Sequence, residues 1–512
     1  MEALIPMFVA IPLAAAFLIV LLGKLPGTFH RALAPLTLLT LLVMALYLFL
    51  NTGGSRLQYD MGGWGTMDRI HIGIPLILDG FSFLMLCIIQ LIGTIALLYS
   101  LSYIRKYTSE NYFYALFCLI IAGMNGVVLS GDLFNLFVFL EVSVMASYAL
   151  VAFGVGKTEL EASFRYQVLG GLASMLILLG VGLIYWKTKT LNMSEVGRLF
   201  ETGSNPSFRI FVQVLFLAGF GLKAAIVPFH AWLPDAHASA PSPISAMLSG
   251  VLIKAVGIYV LIRLFFNMFH FSQEIAMTLT VLGTISMVLG SLLALLQWDV
   301  KRMFAYSSIS QIGYVVMAFG MGMLLMLRGD ASLPALLAIG GGLYHLLNHA
   351  VFKGLLFLNA GALEHRLETR DLKKMGGLNR AMPVTSSTSL MASLSISGLP
   401  PFNGFFSKLL IIAAAIYGGF YLLAVLAVLV SIITLAYFMK FQRFAFFNRA
   451  ALTRNGSVRE VPFSMSASMI LLAVLCLALS LLVLPSFRDA VFLPALEVLM
   501  QSEIPSITLS GI

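Results

Sequence analysis

Ionisable side chains lie at five places inside long apolar runs of this 512-residue chain. They are Glu141, Lys223, Lys254, the cluster of His345, His349 and Lys353, and Lys408. An ionisable residue at the middle of a bilayer costs at least about 2.5–3.5 kcal/mol and usually marks an ion or proton pathway. Because amines, imidazoles and carboxylates all exchange protons, these residue types predict a proton-conducting site.

Glu141, in LFVFLEVSVMAS, is the clear acid deep inside an apolar run and the natural partner of a buried lysine. A carboxylate 4 Å from an ammonium group attracts it by about 4 kcal/mol at an effective dielectric constant of 20. Opening or closing such a pair would switch a desolvated lysine between its charged and neutral forms. We expect Glu141 to lie within about 4 Å of Lys223, or to be linked to it by one water.

The spacing of His345, His349 and Lys353 places them on one helix face, since residues four apart are neighbours on a helix surface. Four further residues are candidates for supporting roles: Arg165, His230, Asp235 and His237. Less specific roles compete with these. A single buried histidine is commonly a satisfied core residue, and a lysine near the end of a span, such as Lys408, can extend its ammonium group to the interface.

Membrane-spanning helices must position these groups. Hydrophobic residues make up 60% of the chain, charged residues 10%, and the mean hydropathy is +0.97. The apolar runs are about 20 residues long, which is the length that crosses roughly 30 Å of hydrocarbon. We therefore predict an all-α polytopic membrane protein with about fourteen transmembrane helices. No cleavable signal peptide is expected, because residues 1–22 lack a basic n-region and a small-residue cleavage site.

The net charge of +9 is better explained by membrane topology than by nucleic-acid binding, because the basic residues lie in short loops. Lysines and arginines are concentrated in one set of alternate loops, which includes Arg105, Lys106, Lys301, Arg302 and Lys374. Cytoplasmic loops carry an excess of these residues. We therefore expect the chain in the cell membrane, multi-pass, with both termini outside.

Two apolar runs are interrupted by glycine and proline beside a lysine, in AGFGLKAAIVP around Lys223 and in GLPPFNGFFSK before Lys408. Proline removes a backbone donor and clashes with the preceding turn, so we expect broken helices near Lys223–Pro228 and Gly398–Pro401. Paired interruptions in two halves are typical of inverted repeats. The predicted organisation is helices 1–3 in residues 1–111, a five-helix repeat in 112–269, a second in 274–445, and a C-terminal loop and helix in 446–512.

Cofactor and metal sites have no support in the sequence. Cys87, Cys118 and Cys476 lie in apolar runs without metal-ligand spacing, which argues against disulfides, zinc and iron–sulfur clusters. GVGKT at residues 154–158 lacks the first glycine of a phosphate-binding loop, because Val151 occupies that position. We therefore expect no cofactor and no metal in this chain.

Four motifs carry a family resemblance: KAAIVPFHAWLPDAHASAPSPISAMLSGVLIKAVGIYVLIR, DVKRMFAYSSISQIGYV, HLLNHAVFKGLLFLNAG and GLPPFNGFFSK. Over about residues 75–445 the sequence resembles the antiporter-like membrane subunits shared by respiratory complex I, Mrp-type Na⁺/H⁺ antiporters and membrane-bound hydrogenases. The resemblance implies fourteen helices, two inverted five-helix repeats, and broken helices 7 and 12. The chain looks like a mid-size member, such as the Mrp D-type subunit or its hydrogenase counterpart.

The resemblance also implies roles for the buried groups. Glu141 and Lys223 match a fifth-helix glutamate and the seventh-helix lysine that pairs with it, and Lys254 matches a central eighth-helix lysine. His345, His349 and Lys353 match the eleventh-helix polar group. Lys408 matches the terminal position in the twelfth helix. Arg165 departs from the lysine of many relatives, and because arginine holds its proton, an electrostatic role is expected there.

The sequence thus predicts a proton-translocating subunit of a multisubunit membrane complex, in which H⁺ moves along a midplane line of buried Lys, Glu and His side chains and water. The expected partners are the lipid bilayer and other integral membrane subunits, with a redox arm of iron–sulfur or nickel–iron subunits in the hydrogenase case. Any Na⁺ site is expected mainly in partner subunits, because few buried carboxylates are present to ligate a hard cation. No catalytic centre is expected in the chain. A self-sufficient cation or proton transporter, a quinone-handling oxidoreductase subunit and a membrane scaffold stay open as alternatives.

Overall fold

The computed structural model describes residues 1–23, 29–63, 66–67, 70–71, 73–107, 109–203, 206–329, 333–448 and 458–500. Its helices are α1 (Met7–Leu22), α2 (Phe29–Thr52), α3 (Gly80–Tyr103), α4 (Glu110–Leu129), α5 (Leu133–Val151), α6 (Lys157–Thr188), α7 (Met193–Gly203), α8 (Pro206–Lys223), α9 (Leu233–Ser239), α10 (Ser242–Met247), α11 (Val260–Asn267), α12 (Gln273–Leu296), α13 (Val300–Leu327), α14 (Leu333–Leu367), α15 (Leu378–Ala381), α16 (Pro383–Ser397), α17 (Asn403–Tyr417), α18 (Tyr421–Gln442), α19 (Phe463–Ala478), α20 (Pro485–Val491) and α21 (Leu493–Met500).

Thirteen helices in the described residues are long and apolar enough to cross a membrane. Together with the shorter pair α16 and α17, they account for the fourteen spans expected from the sequence and confirm an all-α polytopic protein. The helical segments Ser242–Asn267 and Val300–Leu327 are surrounded by the rest of the chain, whereas α1 and α2 are mostly open at the periphery. Charged side chains on the two central segments are therefore shielded from lipid.

The seventh span is broken, as the sequence predicts. Helix α8 ends at Lys223 and the chain becomes helical again at Leu233. Across the break, the indole nitrogen of Trp232 donates to the carbonyl of Leu222 at 3.0 Å, and the amide of Val227 donates to Ser286 Oγ of α12 at 2.9 Å. These bonds satisfy backbone groups that an unbroken helix would have paired, as irregular backbone at membrane depth requires.

The twelfth span is also broken where predicted, between α16 and α17. Gly398 adopts φ 81°, a left-handed conformation that glycine takes without a side-chain clash. Asn403 begins α17, and its side-chain amide donates to Asn348 Oδ1 of α14 at 2.8 Å, while Asn348 Nδ2 donates to the Asn403 carbonyl at 2.9 Å. This reciprocal pair fixes the break against the helix that carries the histidine cluster.

The eighth span contains an irregularity that the sequence did not predict. Two π-helical stretches, Leu248–Leu252 and Lys254–Tyr259, lie between α10 and α11. Insertions of this kind widen a helical turn and often mark functional sites. They lie at Lys254, one of the predicted proton-carrying residues.

Small elements lie outside the spans. Strands β1 (Leu57–Asp60) and β4 (Pro75–Leu78) pair antiparallel, with Leu57 opposite Leu78, and β2 (Thr66–Met67) pairs with β3 (Ile70–His71). The C-terminal helix α21 packs on the start of α3. Of the segment 446–512 predicted as a C-terminal loop and helix, residues 449–457 and 501–512 lie outside the described part, and the inverted-repeat relationship stays a prediction.

Candidate functional site

Glu141 of α5 and Lys223 of α8 form an ion pair, with 3.8 Å between Lys223 Nζ and Glu141 Oε1. Ser174 of α6 lies between them: its hydroxyl donates to Glu141 Oε1 and accepts from Lys223 Nζ at 3.0 Å. The Lys223 side chain is 2% exposed and the Glu141 side chain 25% exposed. The predicted distance is confirmed, and the link through a serine adds a proton-bearing group that the sequence did not indicate.

Lys254 is fully buried and has a different environment. Its ammonium group donates to the carbonyls of Ser249 and Gly250, both at 2.6 Å. Two backbone carbonyls of the π-helical segment thus hold the amino group, in place of a carboxylate. A lysine held by dipoles alone can lose its proton without leaving an opposite charge unpaired, which suits a transfer station.

Backbone contacts place Lys254 between its neighbours in the proposed row. A Cβ on Gly257, one turn after Lys254, would lie 2.9 Å from the backbone of Ala224, the residue after Lys223. A Cβ on Gly250 would lie 3.3 Å from the carbonyl of Ala350 in α14. The π-helical segment therefore contacts the break after Lys223 on one side and the histidine-bearing turn of α14 on the other.

His345 and His349 of α14 are both fully buried but differ in their contacts. His345 Nδ1 bonds Ser407 Oγ at 2.9 Å, and its Nε2 lies 3.2 Å from Gln311 Oε1. Both ring nitrogens of His349 have no hydrogen-bond partner among the described residues. The His349 ring lies 5.5 Å from the ring of Phe352, between centroids.

Lys353, one turn further along α14, points to a neighbouring helix. Its ammonium group donates to the Phe304 carbonyl of α13 at 2.7 Å and to Ser307 Oγ. It shares the helical spacing of the two histidines, as predicted, but it is held by α13 rather than by them. Lys353 therefore lies beside the row, bound to α13.

Lys408 of α17 lies at the far end of the row and is 3% exposed. Its ammonium group donates to the Ile396 carbonyl at 2.8 Å and lies 5.0 Å from the ring centroid of Tyr314. The Tyr314 ring is 5.6 Å from the His345 ring. Because Ser407 bonds His345 and precedes Lys408 in the chain, the serine and the tyrosine both connect the histidine with the terminal lysine. Extension of Lys408 to an interface is excluded by this burial.

The supporting residues separate into two groups. Asp235 accepts from Arg165 at 3.0 Å and from Arg302 at 2.5 Å, and Arg165 also donates to Glu161 at 2.6 Å. These residues line an open cavity of about 170 Å³ at one end of the bundle, so Arg165 has the electrostatic surroundings expected of it and lies outside the buried row.

The two histidines of the supporting set have different positions. His230 is half-buried in the turns after the break. His237 is fully buried, and neither ring nitrogen has a hydrogen-bond partner among the described residues. Its ring centroid lies 5.1 Å from that of Phe357 on α14.

Four residues of the site were not predicted from the sequence: Ser174, Gln311, Tyr314 and Ser407. All are uncharged, and buried serines or glutamines are common in helix contacts, so composition alone does not single them out. Of the four, only Ser407 could have been singled out from its place in the sequence, because it is adjacent to Lys408. No group of three or more His, Cys, Asp or Glu side chains suited to a metal ion occurs among the described residues.

The fold and this site define a multi-pass membrane protein with ionisable side chains buried in series between its central helices. A family described as NADH:quinone oxidoreductase/Mrp antiporter, TM matches residues 130–434, which is more than half of the chain. A second, described as NADH-ubiquinone oxidoreductase (complex I), chain 5 N-terminus, matches residues 64–114. The chain belongs to the NADH:quinone oxidoreductase/Mrp antiporter family.

Individual relatives agree with this assignment. The chain is 32% identical to the D-type subunit of the Na(+)/H(+) antiporter of Alkalihalophilus pseudofirmus, over 100% of this chain and 99% of the relative. It is 32% identical to the N-type subunit of the NADH-quinone oxidoreductase of Desulforudis audaxviator, over 98% and 99% of the two chains. A chain in the structure of the Mrp complex from Dietzia sp. DQ12-45-1b superposes with a TM-score of 0.84 at 27% identity, over 98% of this chain and 99% of that one.

Proposed function

We propose that the chain is a proton-translocating, antiporter-like subunit of a multisubunit membrane complex. The observation that carries the proposal is the set of buried groups Glu141, Lys223, Lys254, His345 and Lys408. Glu141 pairs with Lys223 directly, Ser407 joins His345 to the turn of Lys408, and backbone contacts bring the segment of Lys254 against the break after Lys223 and against α14. Keeping several ionisable groups in the centre of a bundle is costly, and a scaffold would gain nothing from them.

In the proposed mechanism, the Glu141–Lys223 pair is the switch. When the pair is closed, the carboxylate favours the charged lysine, and Ser174 holds both partners in one hydrogen-bonded chain. When the pair opens, the lysine loses that attraction and passes its proton toward Lys254. Two backbone carbonyls accept hydrogen bonds from the Lys254 amino group. The proton continues to the histidines of α14 and to Lys408. Each group that gives up a proton takes up another before the next cycle, so no group is consumed.

Partner subunits supply the driving event in this proposal. The relative from Alkalihalophilus pseudofirmus is named as one subunit of a Na(+)/H(+) antiporter, and the superposing chain belongs to an Mrp complex. We propose other integral membrane subunits as partners of this chain, with a redox arm only in a hydrogenase-type assembly. We further propose that the chain holds no cofactor and that both termini face outside.

The test is a pair of lysine substitutions in the intact complex, reconstituted in vesicles and assayed for ΔpH-linked transport. Lys254→Ala removes a station of the series and should abolish most transport while assembly survives. Lys440→Ala is the matched control, because Lys440 also donates to two carbonyls, at 2.9 and 2.7 Å, but lies at the end of α18 outside the series. Equal transport by the two variants would refute the proposed function. Transport by the purified chain alone would instead favour a self-sufficient transporter.

A further inference from the structure

Helix α16, the half of the broken twelfth span that precedes Lys408, has hydroxyl groups at every fourth position of one buried face. Thr385, Ser389 and Ser393 are fully buried and Ser397 is 4% exposed. Residues four apart lie one above the other on a helix, so these side chains form a row along the axis. At 1.5 Å per residue, the row is about 18 Å long and spans the whole half-helix.

The first end of the row contacts an acid from a loop. Glu460 Oε1 accepts from Thr385 Oγ at 2.6 Å, and its Oε2 accepts from the backbone amides of Val384 and Thr385 at 2.8 and 3.1 Å. Glu460 is partly exposed. Arg366, at the end of α14, donates to the Glu460 carbonyl, which places this acid on the same membrane face as the basic loops that predict the cytoplasmic side. The row thus begins at a partly exposed carboxylate.

A glutamine from α18 bridges the middle of the row. Gln442 Nε2 donates to Ser389 Oγ at 3.0 Å and to Ser393 Oγ at 2.8 Å. Gln442 Oε1 is buried and has no hydrogen-bond partner among the described residues. A buried amide oxygen of this kind is usually satisfied by water.

The row ends at the ammonium group of Lys408. That group donates to the Ile396 carbonyl at 2.8 Å, beside Ser397, the last hydroxyl of the row. A Cβ on Gly398 would lie 3.0 Å from the Lys408 side chain, so the lysine folds back across the end of α16. The ammonium group of Lys408 therefore lies at the C-terminal end of α16, next to the residue that precedes Ser397.

Packing alone does not account for the row. Small polar residues do allow membrane helices to approach closely. Helix α8, however, which also leads to a break and a lysine, has only apolar residues and glycine between Gln213 and Lys223. Helix α8 thus leads to a break and a buried lysine without hydroxyl side chains in its last turns, whereas α16 has a hydroxyl at each turn.

We propose that the α16 hydroxyl row is a proton inlet that connects the membrane face with the basic loops to Lys408. Glu460 lies at the first end of the row and Gln442 at its middle. This inference rests on the proposed function, since it supplies Lys408 with protons from a second direction. Each hydroxyl or bridging water accepts one proton and passes on another, so the row is unchanged and Lys408 gains one proton.

The experiment interrupts the row in the complete complex and measures ΔpH-linked transport in vesicles. Ser389→Ala with Ser393→Ala leaves roughly 18 Å of helix between the remaining hydroxyls of the row. Transport should fall at least about tenfold, which is less than the ~10²-fold contribution of a positioned proton-transfer group, because water can partly replace the hydroxyls. Acidifying the compartment that faces Glu460 should restore part of the rate, which a packing defect would not do. Ser387→Ala is the matched control, because Ser387 is on the same helix but exposed.

The outcomes separate the inlet from the proposed function. Wild-type transport by the double variant, together with loss of transport in Lys408→Ala, would overturn the inlet and leave the proposed function standing. Wild-type transport in Lys408→Ala would overturn the proposed function itself. If the double variant does not assemble, Gln442→Met, which is close in volume and removes only the bridge, should still slow transport with the same recovery in acid. A Gln442→Met complex with unchanged transport would also overturn the inlet.

Discussion

Ser174→Ala tests the serine that joins the two charges of the switch. The substitution removes one hydroxyl and leaves Lys223 Nζ and Glu141 Oε1 free to stay 3.8 Å apart. At that distance and an effective dielectric constant of 20, the attraction between the charges is about 4 kcal/mol. The hydrogen bonds of the hydroxyl to a charged group contribute about 1.5–3 kcal/mol. The pair should therefore survive, but its hydrogen-bonded link should not.

These free energies predict the order of the transport rates of three variants. Ser174→Ala should slow transport by roughly tenfold to a hundredfold, because 1.4 kcal/mol corresponds to a factor of ten. Glu141→Gln removes the charge and should slow transport by about a thousandfold on the same scale. Ser163→Ala is the control on the same helix: Ser163 donates to the Tyr148 carbonyl at 2.8 Å and touches neither charge, so transport should stay near wild type.

The assay is initial-rate proton transport by reconstituted complex, with assembly checked by gel filtration. A Ser174→Ala complex that transports as well as the Ser163→Ala complex would show that the hydroxyl plays no part in the switch. A Ser174→Ala complex as slow as Glu141→Gln would show that the ion pair itself depends on the serine, and the expected order of the variants would be wrong.

Three further predictions concern stability and ion choice. Burial raises the pKa of Asp79, but the charge of Arg263, 2.5 Å away, and the Ser82 hydrogen bonds bring it below its usual value. This pair should therefore stabilise the fold at neutral pH and lose its effect as the pH falls below about 4. Asp79→Ala should lower the free energy of unfolding in detergent by about 3–5 kcal/mol at pH 7, because it leaves the buried charge of Arg263 unpaired. Gly313→Ala should prevent assembly, since its Cβ would overlap the backbone of Met287, whereas Gly171→Ala, which meets nothing within 4 Å, should assemble normally. Radioactive Na⁺ should not bind the isolated chain at millimolar concentration, and saturable binding there would contradict the prediction that this chain carries H⁺.

Charge in an apolar sequence made the spans and the main site residues predictable. A lysine such as Lys254 inside an apolar segment is difficult to explain by folding alone. Glycine and proline beside Lys223 and Lys408 indicate broken helices from the local sequence. The pairing of Glu141 with Lys223 followed because the sequence offered one deep acid.

The groups that connect these charges could not be predicted, because their roles depend on three-dimensional contacts. Ser174 is important through two bonds to other helices, and no spacing within α6 indicates them. The π-helical turns at Lys254 lie in a span that the rest of the chain surrounds, and no local sequence signal indicates them. Lys353 matched the helical spacing of His349, yet its ammonium group bonds to α13, since spacing fixes a face and not the neighbour of each side chain.

The most direct test of the central claim is transport by the Lys223→Arg complex, measured beside Lys223→Ala in the same vesicles. Arginine keeps the positive charge opposite Glu141 but holds its proton at any physiological pH. Both variants should assemble, because Glu141 can become neutral when its partner is removed. If Lys223 carries protons, both should lose most ΔpH-linked transport. Near-normal transport in the arginine variant would contradict the account and make Lys223 a fixed charge rather than a carrier.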